Sequence, residues 1–137
     1  MSAAASEDLR GRVARDAYAA WFGIELLELQ PGYCRAALQL GPQMLNFHGM
    51  PHGAAIFSLA DYTFSGACNA YGETAVALSV TIQFFAAPRP GARLVAEARV
   101  ERQGRQAGFY VMTVTAEDGT VVAACQAVSM RPRPPNA

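Results

Sequence analysis

The segment His52–Gly72, HGAAIFSLADYTFSGACNAYG, restricts the possible folds of this chain more than any other stretch. It is the most apolar part of the sequence, and Asp61 is its only carboxylate. A helix built from Ala, Ile, Phe and Leu has to be buried against another layer. A carboxylate on such a helix must reach water, find a partner or be held for chemistry, because a stranded charge in apolar surroundings is costly. The run approaches membrane-span length, but it contains His52, Ser58, Asp61, Ser65 and Asn69, and no basic cluster flanks it closely. It therefore reads as the buried helix of a globular domain that does not engage a membrane.

The 137 residues amount to one domain, 1–137, with flexible tails expected at 1–6 and 131–137. That length can bury a core without staples. Eleven basic residues balance eleven acidic ones, so no net field draws in nucleic acid or an anionic surface. Every basic residue is Arg, which suits planar contacts with phosphate or carboxylate. Cys34, Cys68 and Cys125 are far apart, form no CxxC pair and leave an odd thiol. They read as small buried hydrophobes in a reducing compartment, not as a disulfide framework or a zinc cluster. The opening MSAAASEDLRGR carries acids and lacks an apolar signal core, so a cytoplasmic protein is expected.

Residues 7–22 have helical spacing, with Leu9, Val13, Ala17, Ala20 and Trp21 on one face and a stop at Gly23. Strands are expected at 24–30 and 33–40, split by Pro31-Gly32, and a loop rich in Gly, Pro, Asn and His spans 41–51. After the central helix, strands are expected at 74–85, 93–102, 107–117 and 120–130, the last pair joined by Asp118-Gly119. Successive strands joined by tight turns make an antiparallel sheet. The economical α+β arrangement sets one apolar helix on one face of a curled sheet. Such a sheet exposes an edge and its helix is apolar nearly all round, so a partner subunit is expected.

The run MLNFHGMPHGAAIFSLADYTF resembles the motif of hotdog-fold acyl-CoA thioesterases. There an Asn precedes a loop ending His-Gly-Gly, and an Asp lies eight residues after the first of those glycines. Asn69-Ala70-Tyr71-Gly72, the strand AVALSVTIQFFAAPRPG and the segment RQGRQAGFYVMTV look like the phenylacetate-degradation branch. The resemblance covers residues 18–130 and implies a long central helix wrapped by a curved antiparallel sheet. It further implies hydrolysis of phenylacetyl- or hydroxyphenylacetyl-CoA. Asp61 would be the base or nucleophile and the Gly53 N–H would bind the thioester oxygen. Asn46 would hydrogen-bond near the carbonyl, and His52 would shape the loop. Two positions depart from the pattern: Ala54 stands where a second Gly is usual, and Ala77 where some relatives carry a water-orienting Ser.

Elementary chemistry agrees with these roles. Hydrolysis develops negative charge on the carbonyl oxygen, and an N–H at a helix N-terminus is suited to stabilise it. Gly53 and Asp61 are eight residues apart, hence about 12 Å along one helix axis, too far to touch one carbonyl together. Two equivalent sites per homodimer, each built from both chains, are therefore expected, with dimers pairing into a tetramer. Arg105, Arg89 and Arg131 are candidates for the phosphates or adenosine of coenzyme A, Arg105 first among them. Coenzyme A is part of the substrate, and no separate cofactor is expected. His48 and His52 do not suggest a metal pair, because Gly49 and Pro51 between them oppose a helix. Two other readings stay open at this point, a hotdog dehydratase or hydratase and a non-catalytic acyl-thioester binding module.

Overall fold

The computed structural model describes residues 6–133. Its elements run α1 (Glu7–Ala14), α2 (Ala17–Phe22), β1 (Ile24–Gln30), β2 (Tyr33–Gln39), a 3₁₀ turn (Pro42–Met44), α3 (Gly53–Asn69), β3 (Val76–Phe84), β4 (Arg93–Gln103), β5 (Ala107–Ala116) and β6 (Val121–Met130). Six strands form one antiparallel sheet in the order β1-β2-β4-β5-β6-β3.

The alternation in the strands decides which face meets α3. Cys34, Ala36 and Leu38 of β2 and Leu94, Ala96 and Ala98 of β4 are all buried, and α3 packs chiefly on these two strands. Small residues at the strand positions let the helix approach. The helix contributes Gly66, where a Cβ would come within 2.8 Å of Cys34 Sγ and 3.3 Å of Leu29 Cδ1. Leu59, Phe64, Met112, Val114 and Val122 complete the core. Truncating a fully buried leucine such as Leu59 to Ala would cost on the order of 2–5 kcal/mol. All three cysteines are buried thiols, and burial pushes Cys34 up to about 12.

Three expectations need correction. The helix expected over 7–22 is two helices, because Asp16 leaves the helical conformation and caps α2, its Oδ1 accepting from the Ala19 N–H at 2.8 Å. The continuous face through Ala17 and Trp21 is thereby lost, and Trp21 is 77% exposed. The four strands after α3, expected to follow one another through tight turns, are not all neighbours: β3 lies at the far edge and pairs with β6, while β4 pairs with β2. Arg131 does not belong to a loose tail. Its N–H donates to Gln106 O at 2.8 Å, and its guanidinium meets Glu73 at 3.6 Å and the face of Tyr71. Residues 1–5 and 134–137 of the expected tails lie outside the described residues.

The expectation that α3 itself is left uncovered is also refined. Its apolar side is satisfied within the chain, leaving a stripe through Ala54, Phe57, Ser58, Asp61 and Ser65 that is half-buried or exposed. The unmatched apolar surface lies instead on β3, where Val76, Leu78 and Phe84 are exposed, with Phe85 beyond them. A register shift between Ala77 and Ser79 leaves Leu78 out of the ladder.

Candidate active site

The loop before α3 is built around Asn46. Its Oδ1 accepts from the His48 N–H at 2.9 Å and the Met50 N–H at 3.1 Å, its own N–H donates to Met50 O, and its C=O accepts from Gly49. Gly49 sits at φ 79°, a left-handed position that lets the chain turn back. The β-bridge between Leu45 and Pro51 and the 2.7 Å bond from His52 N to Met44 O then deliver the chain to the helix.

His52 is the N-cap of α3, its Nδ1 accepting from the Ala54 N–H at 3.0 Å, which puts a neutral ring's proton on Nε2. The N–H of Gly53, by contrast, has no acceptor among the described residues. Gly53 opens the helix beside a cleft of ≈ 290 Å³ lined by Pro51, Ile56, Phe84 and Phe85. The Phe84 ring lies so close that a Cβ on residue 53 would meet its Cζ at 3.2 Å. A helix N-terminus with an unengaged N–H and no side chain in the way can receive an oxyanion.

Asp61 lies on the same unbroken helix, about 12 Å along the axis from Gly53. It lines a second cleft of ≈ 420 Å³, together with Asp16, Tyr18, Phe57, Ser58, Tyr62 and Ser65. Its carboxylate makes no hydrogen bond or ion pair among the described residues. Burial, and then the like charge of Asp16, holds its carboxyl above the usual carboxylate range. The stripe of Ser58, Asp61, Ser65 and Asn69 is not a uniformly solvated face. Asn69 ties the helix end to β3 through its amide, to Ala75 O at 3.0 Å and from the Ala75 N–H at 2.9 Å. Ser58 donates to Ala54 O at 2.8 Å, so the 2.8 Å contact with Tyr18 is donated by the tyrosine hydroxyl.

The arginines are not gathered. Arg105, exposed in the β4–β5 turn, and Arg131 are neighbours, with Arg131 Nη1 reaching Arg105 O at 3.5 Å. Arg89 is exposed before β4, about 35 Å away along that strand, where it lines a cleft with Asp118. Arg131 is committed to Glu73 and Tyr71. Phe84 of β3, Phe109 of β5 and Phe85 just past β3 are exposed, whereas Tyr110 of β5 is buried. Sequence reasoning missed Asp16 and Tyr18 beside Asp61 and Phe84 beside Gly53. Asp16 carried a readable sign, a capping residue just before Ala17-Tyr18-Ala19. Tyr18 and Phe84 carried none.

With this geometry in view, the comparisons with known proteins are informative. The family model of the Thioesterase superfamily matches residues 48–123, which include the Gly53 and Asp61 helix. The chain is 35% identical over 131 residues to the acyl-coenzyme A thioesterase PaaI of Escherichia coli strain K12, covering 96% of this chain and 94% of that protein. The structure of the E. coli PaaI protein from the phenylacetic acid degradation operon matches with a TM-score of 0.87 over 90% of each chain. The TT0310 protein of Thermus thermophilus matches at 0.82 and 34% identity, over 86% of this chain and 99% of that one. A family match over more than half the residues, a relative alike from end to end and a shared helix-on-sheet architecture lead to one conclusion: the chain belongs to the thioesterase superfamily and is a thioester hydrolase of the hotdog fold.

Proposed function

We propose that this protein hydrolyses acyl-CoA thioesters in the cytoplasm, with phenylacetyl- or hydroxyphenylacetyl-CoA as substrate, at sites that two subunits build together. Its similarity to an acyl-coenzyme A thioesterase over nearly the whole chain supports the CoA thioester. The motif shared with the phenylacetate-degradation branch supports the aryl group. The observation that carries the shared site is the separation of Gly53 and Asp61 on one continuous helix. One carbonyl cannot meet both from a single chain, but it can meet Gly53 of one subunit and Asp61 of an antiparallel neighbour.

In this reading the thioester oxygen accepts the Gly53 N–H. Asp61 of the partner subunit takes a proton from water as the water adds to the carbonyl carbon, or adds to that carbon itself and is released by water afterwards. Negative charge collects on the oxygen at the helix N-terminus, the C–S bond breaks, and the thiolate of CoA leaves and is protonated. Either role needs the ionised form of Asp61, and its burial brings the carboxyl toward the range where a base works. Asn46 contributes its free amide Nδ2 near the carbonyl, since its Oδ1 is committed to the loop. His52 shapes the loop through its cap. Arg105 is best placed for the CoA phosphates, with Arg131 as its neighbour and Arg89 as a more remote contact. Dimers pair into a tetramer. Coenzyme A enters and leaves as part of the substrate, and the reaction as written draws on no further cofactor.

The purified protein, given phenylacetyl-CoA and a thiol reagent, is expected to release free CoA. Asp61→Asn should abolish release while keeping the fold and the oligomer. Unchanged release by that variant would overturn the assignment.

A further inference from the structure

We propose that Asp16 is a positioning residue whose negative charge, set in the same cleft as Asp61, fixes the pH at which hydrolysis switches on. The inference rests on the reading of Asp61 as the carboxylate of hydrolysis.

Asp16 lies between α1 and α2 and caps α2, and the 2.8 Å bond from the Ala19 N–H to its Oδ1 fixes where its carboxylate sits. That placement makes it a wall of the cleft that holds Asp61. The other titratable groups on that cleft are Tyr18 from α2 and Tyr62 from α3. Burial pushes Tyr62 up, so it carries no charge there at neutral pH. Cys68, further along α3, also senses Asp61, and burial pushes its thiol up to about 11, so it too is neutral. Arg12 of α1 lines the adjoining cleft, which shares Asp16, Tyr62 and Ser65 but not Asp61. Among the described residues no cation lines the Asp61 cleft. The one charge facing Asp61 from a packed element of its own chain is therefore negative. A like charge beside a half-buried carboxylate makes it keep its proton to higher pH, and because Asp16 is itself exposed, water and salt screen part of the effect. In the proposed dimer the partner's helix N-terminus pulls the other way, so Asp16 offsets that pull and keeps Asp61 basic enough to act on water.

Asp16→Asn is a discriminating test, because Asn caps a helix about as well as Asp and removes only the charge. Two readouts apply: the pH–rate profile of kcat/KM with phenylacetyl-CoA, and titration of the Asp61 side-chain carboxyl carbon by NMR, assigned with Asp61→Asn. In the variant, Asp61 is expected to titrate at lower pH and the acid limb to move the same way. The variant then outpaces the native enzyme at the foot of the acid limb and falls below it on the plateau, where a less basic Asp61 acts on water more slowly, a crossing that lost structure could not produce. Raising ionic strength should lower the native acid limb and leave the variant's nearly in place. An unmoved titration and limb would overturn the inference, as would a limb that moves while Asp61 does not. If Asp61→Asn retains turnover, the hydrolytic reading itself fails, and the NMR titration still decides whether the two carboxylates are coupled. Should Asp16→Asn lose helix by circular dichroism, Asp16→Ser, another capping residue, carries the same two readouts.

Discussion

In the proposed reading, Asp61 sets stability against reactivity. Its folded-state carboxyl titrates above its unfolded value, because burial and the charge of Asp16 favour the neutral form. A group raised in this way contributes stability below its unfolded value, and that contribution is lost as pH rises through the folded value. At neutral pH the ionised side chain thus weakens the fold that holds it. Asp61→Asn is expected to raise the melting temperature at neutral pH, with the gap closing as the pH falls below the ordinary carboxylate range. Thermal melts across pH check this, and a variant that melts lower at neutral pH would contradict it. The same substitution should lower kcat by about 10²–10⁴-fold, the usual contribution of a positioned base. For Gly53 the informative change is Gly53→Pro. Pro is tolerated at the first helical position, and the extended backbone of His52 suits a following Pro. The change deletes an N–H that has no acceptor among the described residues and adds a ring whose Cβ presses on the Phe84 ring at 3.2 Å; because that ring is exposed and can give way, folding should survive while kcat falls by about 10²–10³-fold. Both residues stood out in the sequence, one as a lone acid in an apolar run and the other as a glycine at its start. Their neighbours Asp16 and Phe84 did not stand out as such, because they come beside these two residues only through tertiary packing.

The elements explain how a loop of polar and turn residues comes to aim a helix N-terminus. Asn46 replaces missing backbone partners for His48 and Met50, and the chain then enters α3 already capped by His52. Asn46→Ala should release two loop N–H groups to water and cost about 1–2 kcal/mol. It should also raise KM and lower kcat, because the Gly53 amide is no longer held in place. Melting and steady-state kinetics together check this, and a variant with native kinetics would show that the loop is positioned by other contacts. Strand and helix positions were largely legible, since alternation in β2 and β4 and the apolar run of α3 are local patterns. The break at Asp16 carried one sign, a capping residue, but Leu9, Val13 and Ala17 keep helical spacing across it and outweigh that single position. The pairing of β3 with β6 was also invisible, since no local feature of either strand names a partner across about forty residues of chain.

As a whole molecule, the chain holds Gly53 at the start and Asp61 at the middle of one helix, two half-sites in the proposed reading, and an uncovered apolar strand along one sheet edge. Val76, Leu78 and Phe84 are exposed on β3, which has an unpaired edge, a surface that invites a second copy. Leu78→Asp is expected to give a monomer with native secondary structure and no turnover, measured by sedimentation and by CoA release; a dimer, or an active monomer, would contradict the account. The sequence predicts an exposed sheet edge and an uncovered helix; β3 carries the exposed edge, while the apolar side of α3 is covered by its own sheet. The central claim, that each site takes Gly53 from one chain and Asp61 from the other, is tested most directly by mixing two dead variants. Asp61→Asn and Gly53→Pro, each inactive alone, should recover about a quarter of native turnover when co-expressed, because half of the random dimers contain one intact site. Mixed dimers that form but show no turnover would contradict the shared site.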